Sequence, residues 1–310
     1  QIRPGLTAGY LLEIGIYDDD GLGSEKGSLL IRQNHVYLDS ATFGRITLGQ
    51  ASQVTDGVYT INLANARVTG GEMDEHSGVL GTRFSTTFKT PYDGGRRKGV
   101  YYRTPTLAGF ILSAGWSSGT NDKLKNEDGE YDSDDHWEIA LKYAGEFNGV
   151  RIAAGVGYRK EEDNTDPGSA LFGDREVWMA SGSVMHMPTG LFVSGGYADQ
   201  DSDNALNRMS GFWVMAGVER NWFGHGNTTL YGEYSENDLD VNTATDQGNI
   251  TTRRHDGNYW GLGVVQAIDA AATDLYLNYR HYELDDFVAG GQVRQGNDAG
   301  VVTAGMIIKF

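Results

Sequence analysis

Between residues 137 and 143 every second side chain is large and apolar. Trp137, Ile139, Leu141 and Tyr143 alternate with Glu138, Ala140 and Lys142. A period of two puts one set on one face of an extended strand and the other set on the opposite face, whereas a helix needs apolar spacings of three and four. The pattern recurs along the chain. Ile152, Ala154, Val156 and Tyr158 alternate with Arg151, Ala153, Gly155, Gly157 and Arg159; Phe110, Leu112, Ala114 and Trp116 with Ile111, Ser113, Gly115 and Ser117; Leu275, Leu277 and Tyr279 with Asp274, Tyr276, Asn278 and Arg280. The last segment puts Val302, Ala304, Met306, Ile308 and Phe310 on one face, with Ile307 as a misfit on the other. Fourteen strands are predicted, at 6–17, 29–40, 43–50, 98–104, 109–117, 135–144, 150–160, 175–187, 190–199, 208–221, 228–236, 254–267, 271–282 and 299–310.

The connections alternate in length. Short ones lie at 40–44, 104–109, 144–149, 186–190, 222–227 and 267–272; long acidic ones at 18–27, 117–135, 161–174, 199–208, 236–254 and 283–298. Short turns at one end and long loops at the other describe an all-β, antiparallel up-and-down barrel of the transmembrane kind. A large soluble sandwich or propeller would also alternate, but it gives no reason for sorting the loops, and no blade-length repeat is visible. No stretch approaches the roughly 18 apolar residues of a membrane helix. A barrel strand needs none, because it shows lipid only every second residue. So many strands enclose a lumen too wide to fill with side chains, so the polar face lines water and the apolar face meets lipid. Tyr10, Tyr17, Trp116, Trp137, Trp178, Trp260, Tyr279 and Tyr282 near strand ends suit interfacial girdles.

Composition removes other classes. The 310 residues contain no Cys, which excludes thiol nucleophiles and thiolate metal sites. With 42 acidic against 25 basic residues, the net charge of −17 argues against nucleic acid as a partner. No signal peptide opens the chain at Gln1, which reads as a processed or truncated start.

The stretches IRQNHVYLDSATFGRITLGQ (31–50) and KGVYYRTPTLAGFILSAGW (98–116), with a final strand ending in Phe310, resemble the paired strands and terminal signal of Gram-negative trimeric general porins. The likeness covers the whole chain, 1–310, as one pore unit. It implies a sixteen-stranded barrel in the outer membrane of a Gram-negative bacterium. On that alignment Leu6–Tyr17 is the third strand and about two N-terminal strands are missing; fourteen strands closed on themselves are the competing reading. The resemblance also implies a homotrimer, outer-membrane lipid and lipopolysaccharide as surroundings, and recognition of the last strand, through Phe310, by the barrel assembly machinery.

The long connection at 51–97 exceeds the roughly 15 residues usual for structureless loops, which points to function. By resemblance it is the inward-folded constriction loop. Its acids include Asp56, Glu72, Asp74, Glu75 and Asp93, three of them packed in GGEMDEHSG at 70–78. Opposite, the family places a ladder of arginines. Arg103 matches one, and Gln50 stands where the family has another. Arg32, Arg45 and Arg97 are added as pore-wall candidates from strand phase. Carboxylates facing guanidiniums across a wet gap would set up a transverse field that favours polar solutes. Local pairing of these charges is the plainer alternative.

Nothing points to an enzyme. DQDSDN at 199–204 starts like a calcium loop, but Asn204 and Ser210 fail its glycine and bidentate positions. His136 and Glu138 have a metal-like spacing without a completing ligand set, and His76 is the one histidine placed to sense pH in the loop. No GxSxG, P-loop or HExxH occurs. No cofactor or metal site is expected beyond loosely held divalent cations at the acidic outer loops. The reading is a passive, cation-favouring channel for small hydrophilic solutes. A substrate-selective channel of the same fold is the alternative, although no aromatic slide or basic lumen marks one; a barrel enzyme and a tether for a surface layer find no support.

Overall fold

The computed structural model describes residues 5–16, 29–66, 87–88, 95–118, 135–162, 174–202, 208–244, 250–288 and 292–309. It contains fourteen strands: β1 (Leu6–Ile16), β2 (Leu29–Ser40), β3 (Gly44–Ser52), β4 (Arg96–Arg103), β5 (Phe110–Ser118), β6 (Asp135–Phe147), β7 (Val150–Glu161), β8 (Arg175–His186), β9 (Leu191–Ser202), β10 (Arg208–Arg220), β11 (Thr228–Ala244), β12 (Ile250–Ile268), β13 (Thr273–Val288) and β14 (Gln292–Ile308). Each runs antiparallel to its sequence neighbours in a single sheet ordered β1 to β14. The sheet is open between its first and last strands: among the described residues β14 pairs with β13 alone and β1 with β2 alone. That overturns the reading of fourteen strands closed on themselves. Phe310 lies outside the described residues.

The first ten strands fall within a few residues of their predicted bounds. The last four run longer, because β11 to β14 extend as paired hairpins through much of 236–254 and 283–298, which the sequence presents as acidic loops.

The burial pattern is the reverse of a soluble sheet. On β6, Trp137, Ile139 and Leu141 are 42%, 43% and 39% exposed, while His136, Glu138 and Ala140 are 5%, 3% and 2% exposed. A chain that turns its indole and aliphatic groups out and its carboxylate in is built for an apolar solvent. Eight successive strands, β5 to β12, each contribute one aromatic to an outward belt near the long-loop end: Trp116, Trp137, Tyr158, Trp178, Tyr197, Phe212, Tyr234 and Trp260. Neighbouring rings touch, with centroids 5.0 Å apart for Trp137–Tyr158 and 4.3 Å for Tyr158–Trp178. Exposed Phe43, Phe110, Phe147, Trp222 and Phe223 mark the short-turn end. Two aromatic levels with aliphatic residues between them fit the two interfaces of a bilayer.

Inside, a brace ties alternate strands. Glu233 on β11 and Arg280 on β13 both pair with Gly261 of the strand between them. Their ion pair, 2.7 Å from Oε1 to Nε, crosses over that glycine and is almost fully buried. A Cβ at residue 261 would lie 2.8 Å from Glu233 Oε1.

Candidate pore constriction

The long connection does turn inward where it can be followed. At its base Gln53 N donates to Gly95 O (3.0 Å), and Gly95 N donates to Gln53 Oε1 (2.9 Å). From there the chain crosses the inner face of β6 to β10, and wall side chains satisfy its backbone. Glu138 accepts from Val54 N (2.8 Å), Thr55 N (2.9 Å) and Thr55 Oγ1 (2.6 Å). Lys142 Nζ donates to Asp56 O at 2.9 Å. Ser181 donates to Val58 O and accepts from Ile61 N (3.1 Å). Trp213 Nε1 donates to Tyr59 O (2.9 Å), Ser183 accepts from Leu63 N (3.0 Å), and Glu219 accepts from Asn65 N (2.6 Å). Buried backbone polar groups are costly when unpaired, so this track of acceptors and donors lets an irregular segment lie against the wall. Apolar contact completes the docking: Val58 and Tyr59 are buried in one cluster with Val177, Met179, Trp213 and Met215. Farther along, Phe88 packs on Tyr259 and Tyr282 of β12 and β13, with centroids 5.7 and 5.1 Å away.

Docked this way, the loop leaves a cleft of about 330 Å³ between its first turn and β2 to β6. Asp56, Arg45, Arg103 and Lys142 line it, together with Gln33, His35, Thr47 and Ser113. Arg45 and Arg103 stand opposite each other on β3 and β4. Both lean on Asp39: Arg45 Nε is 2.8 Å from Oδ2, and Arg103 Nη2 is 3.8 Å away. Arg45 also lies 4.2 Å over the ring of Tyr37, which fixes the guanidinium plane.

The structure thus brings Asp56, Arg45 and Arg103 to one cleft. Arg32 lies at a bulge of β2 and pairs with Glu13 at 2.6 Å. Gln50 falls in phase with Ile46 and Leu48, outward residues of β3. Gly49 before it takes φ +125°, and the Gln50 carboxamide donates to the carbonyls of Ile31 and Arg32 on β2 at 2.9 and 3.1 Å. Arg97 belongs to a second cluster at the long-loop end, with His136 (3.1 Å) and Glu161 (3.6 Å), where Arg159 and Arg175 also reach Glu161 at 2.9 Å each. Glu72, Asp74, Glu75, His76 and Asp93 lie outside the described residues. Sequence reasoning missed Asp39, Glu138, Lys142 and Glu161 as members of these clusters. Their inward phase was readable; their meeting with the loop was not. Among the described residues no group of three or more His, Asp or Glu side chains gathers to hold a metal.

An inward loop, a charged cleft and an inverted sheet now stand together, and the Gram-negative porin family matches residues 1–287. The chain is a Gram-negative porin. Solved structures similar in fold include OmpF of Salmonella typhi in complex with daunomycin (14% identity, 99% of this chain and 87% of that one, TM-score 0.60). The anion-selective porin from Comamonas acidovorans is similar as well (18% identity, 97% and 83%, TM-score 0.58). So is an outer membrane protein of Vibrio cholerae, OmpT with its loop L8 deleted (15% identity, 99% and 87%, TM-score 0.58). No curated protein matches this porin. As a member of the family it is an outer-membrane β-barrel channel.

Proposed function

We propose that this porin is a water-filled, homotrimeric channel for passive diffusion of small hydrophilic solutes and ions, favouring cations and carrying out no catalytic step. The observation that carries the reading is the docked loop segment 53–66, which narrows the inner space to a cleft with Asp56 on one side and Arg45 and Arg103 on the other. Charges of both signs across a narrow wet gap hold polar solutes better than apolar ones. The cation preference rests on the net charge of −17 and on the loop acids Glu72, Asp74 and Glu75. The trimer draws on the outward face. The cross-strand row through Trp116 continues as Val100, Leu48 and Val36 on β4, β3 and β2, and regains an aromatic only at Tyr10. An aliphatic patch at an otherwise aromatic level suits contact with another copy better than contact with lipid headgroups. OmpT of Vibrio cholerae has a structure described as its trimer form (14% identity, TM-score 0.53). The rest of the belt would face lipid and lipopolysaccharide, with divalent cations loosely held at the acidic outer loops, and the terminal strand through Phe310 would engage the barrel assembly machinery.

The test is single-channel recording of the full-length protein in a planar bilayer under a KCl gradient. Conductance in steps of three with a cation-side reversal potential is expected. A pore that opens only for one solute would replace the reading with a substrate-selective channel, and an anion-side reversal would overturn the role given to the loop acids.

A further inference from the structure

We infer that a cavity at the short-turn end binds small organic cations, an ammonium group carried on a short apolar chain. The cavity holds about 550 Å³, room enough for such a solute, and lies where the docked loop reaches the short-turn ends of β10 to β14. It shares no residue with the cleft at β2 to β6. Its charged wall is Glu219 of β10, Asp274 of β13, Asp269 of the turn between β12 and β13, and Lys309 after β14. Its apolar floor is Leu63 and Ala64 of the loop with Ile268 of β12.

The charges in this cavity do not cancel. Lys309 Nζ is 2.7 Å from Asp274 Oδ2, whose side chain is 6% exposed, so this ammonium is occupied by a buried carboxylate. Glu219 is held by neutral donors: Asn65 N at 2.6 Å and Thr229 Oγ1 at 2.9 Å on one oxygen, and Asn227 Nδ2 at 3.1 Å on the other. Neutral donors fix a carboxylate and leave its charge in place. Among the described residues neither Glu219 nor exposed Asp269 pairs with a cation. Two uncompensated carboxylates beside an apolar floor suit one ligand with both characters. An inorganic ion would leave Leu63 and Ile268 in water, and a neutral alcohol would leave the carboxylates without a counter-charge. Because the bonds to Asn65 and Asn227 already fix Glu219, little of its freedom is lost when a ligand meets it.

Saturation-transfer NMR of the full-length protein in detergent micelles, titrated with methyl-, propyl- and butylammonium, tests the site. Butylammonium should bind saturably, and each added methylene should tighten binding by up to about fourfold. Glu219→Gln should weaken butylammonium about tenfold. Asp269→Asn, at an exposed position, should weaken it about threefold. Butanol should give no saturable signal. Butanol bound as well as butylammonium places the probe on micelle or apolar surface and overturns the inference. Equal affinity for methylammonium and butylammonium reduces the effect to screening of surface acids and overturns it too, as does unchanged affinity in Glu219→Gln. Where Glu219→Gln fails to fold for want of its bond to the loop, Asp269→Asn decides, and unchanged binding there counts against the site. The NMR reading needs no open pore, so a protein that binds butylammonium and conducts nothing fails the diffusion-channel reading and leaves the site standing.

Discussion

The wall beneath the loop and the wall across the cleft share the same alternating strands, yet their inner faces differ. On β8 to β10 the inward positions hold Val177, Met179, Met185, Phe192, Trp213 and Met215, all buried. On β2 to β4 they hold Gln33, Tyr37, Asp39, Arg45, Thr47 and Arg103 around open space. The outer faces agree, because both meet the same apolar solvent. The inner faces differ because one is covered by the chain's own loop and the other is wetted. Polarity inside this barrel follows what lies against each strand and not the barrel as a whole.

That contrast predicts where substitutions act. Under the loop they should change docking; across the cleft they should change selectivity alone. The largest effect is expected for Trp213→Ala, which removes a buried indole and its bond to Tyr59 O. It should cost about 3–5 kcal/mol, read as a lower denaturant midpoint and an unsteady open-channel current. Glu138→Gln keeps the shape but leaves one carbonyl oxygen for three donors. A cost of about 1–3 kcal/mol is expected, measured in the same way, and an unchanged midpoint would break the contrast. Arg45→Gln on the open wall should leave the midpoint within about 0.5 kcal/mol of wild type while raising the K⁺-to-Cl⁻ permeability ratio in a KCl gradient. The smallest effect is expected at the long-loop end. There Asp201 and Arg208 pair at 2.8 Å in full view of solvent, and Asp201→Asn should move neither reading.

The same contrast accounts for what the sequence let one read. The apolar outer stripe imposes a period of two, so β1 to β10 were legible to within a few residues. Beyond the aromatic belt no lipid enforces alternation. In ENDLDVNTA at the end of β11 the outward positions Glu236, Asp238 and Asp240 are acidic and the apolar Leu239 turns inward, so no outer apolar stripe marks its pairing with β12. Arg45 was named from strand phase, Arg103 from the family resemblance and Asp56 as an acid of the long loop, and the fold brings the three to one cleft. Gln50 rested on the resemblance alone, whereas the unbroken register sets it in phase with the outward Ile46 and Leu48. The roles of Glu138 and Lys142 lie in contacts with a loop 83 to 86 residues away, and a strand pattern carries no information at that range.

The brace over Gly261 gives β12 a mechanical role. To slide along its neighbours by one residue, β12 would have to bring a side chain under the Glu233–Arg280 pair, where a Cβ at position 261 would already sit 2.8 Å from the carboxylate. The pair works as a ratchet pawl, letting the hairpins zip in one alignment and blocking the next. An extraction force applied to β12 would have to work against a buried ion pair that joins its two neighbours across it.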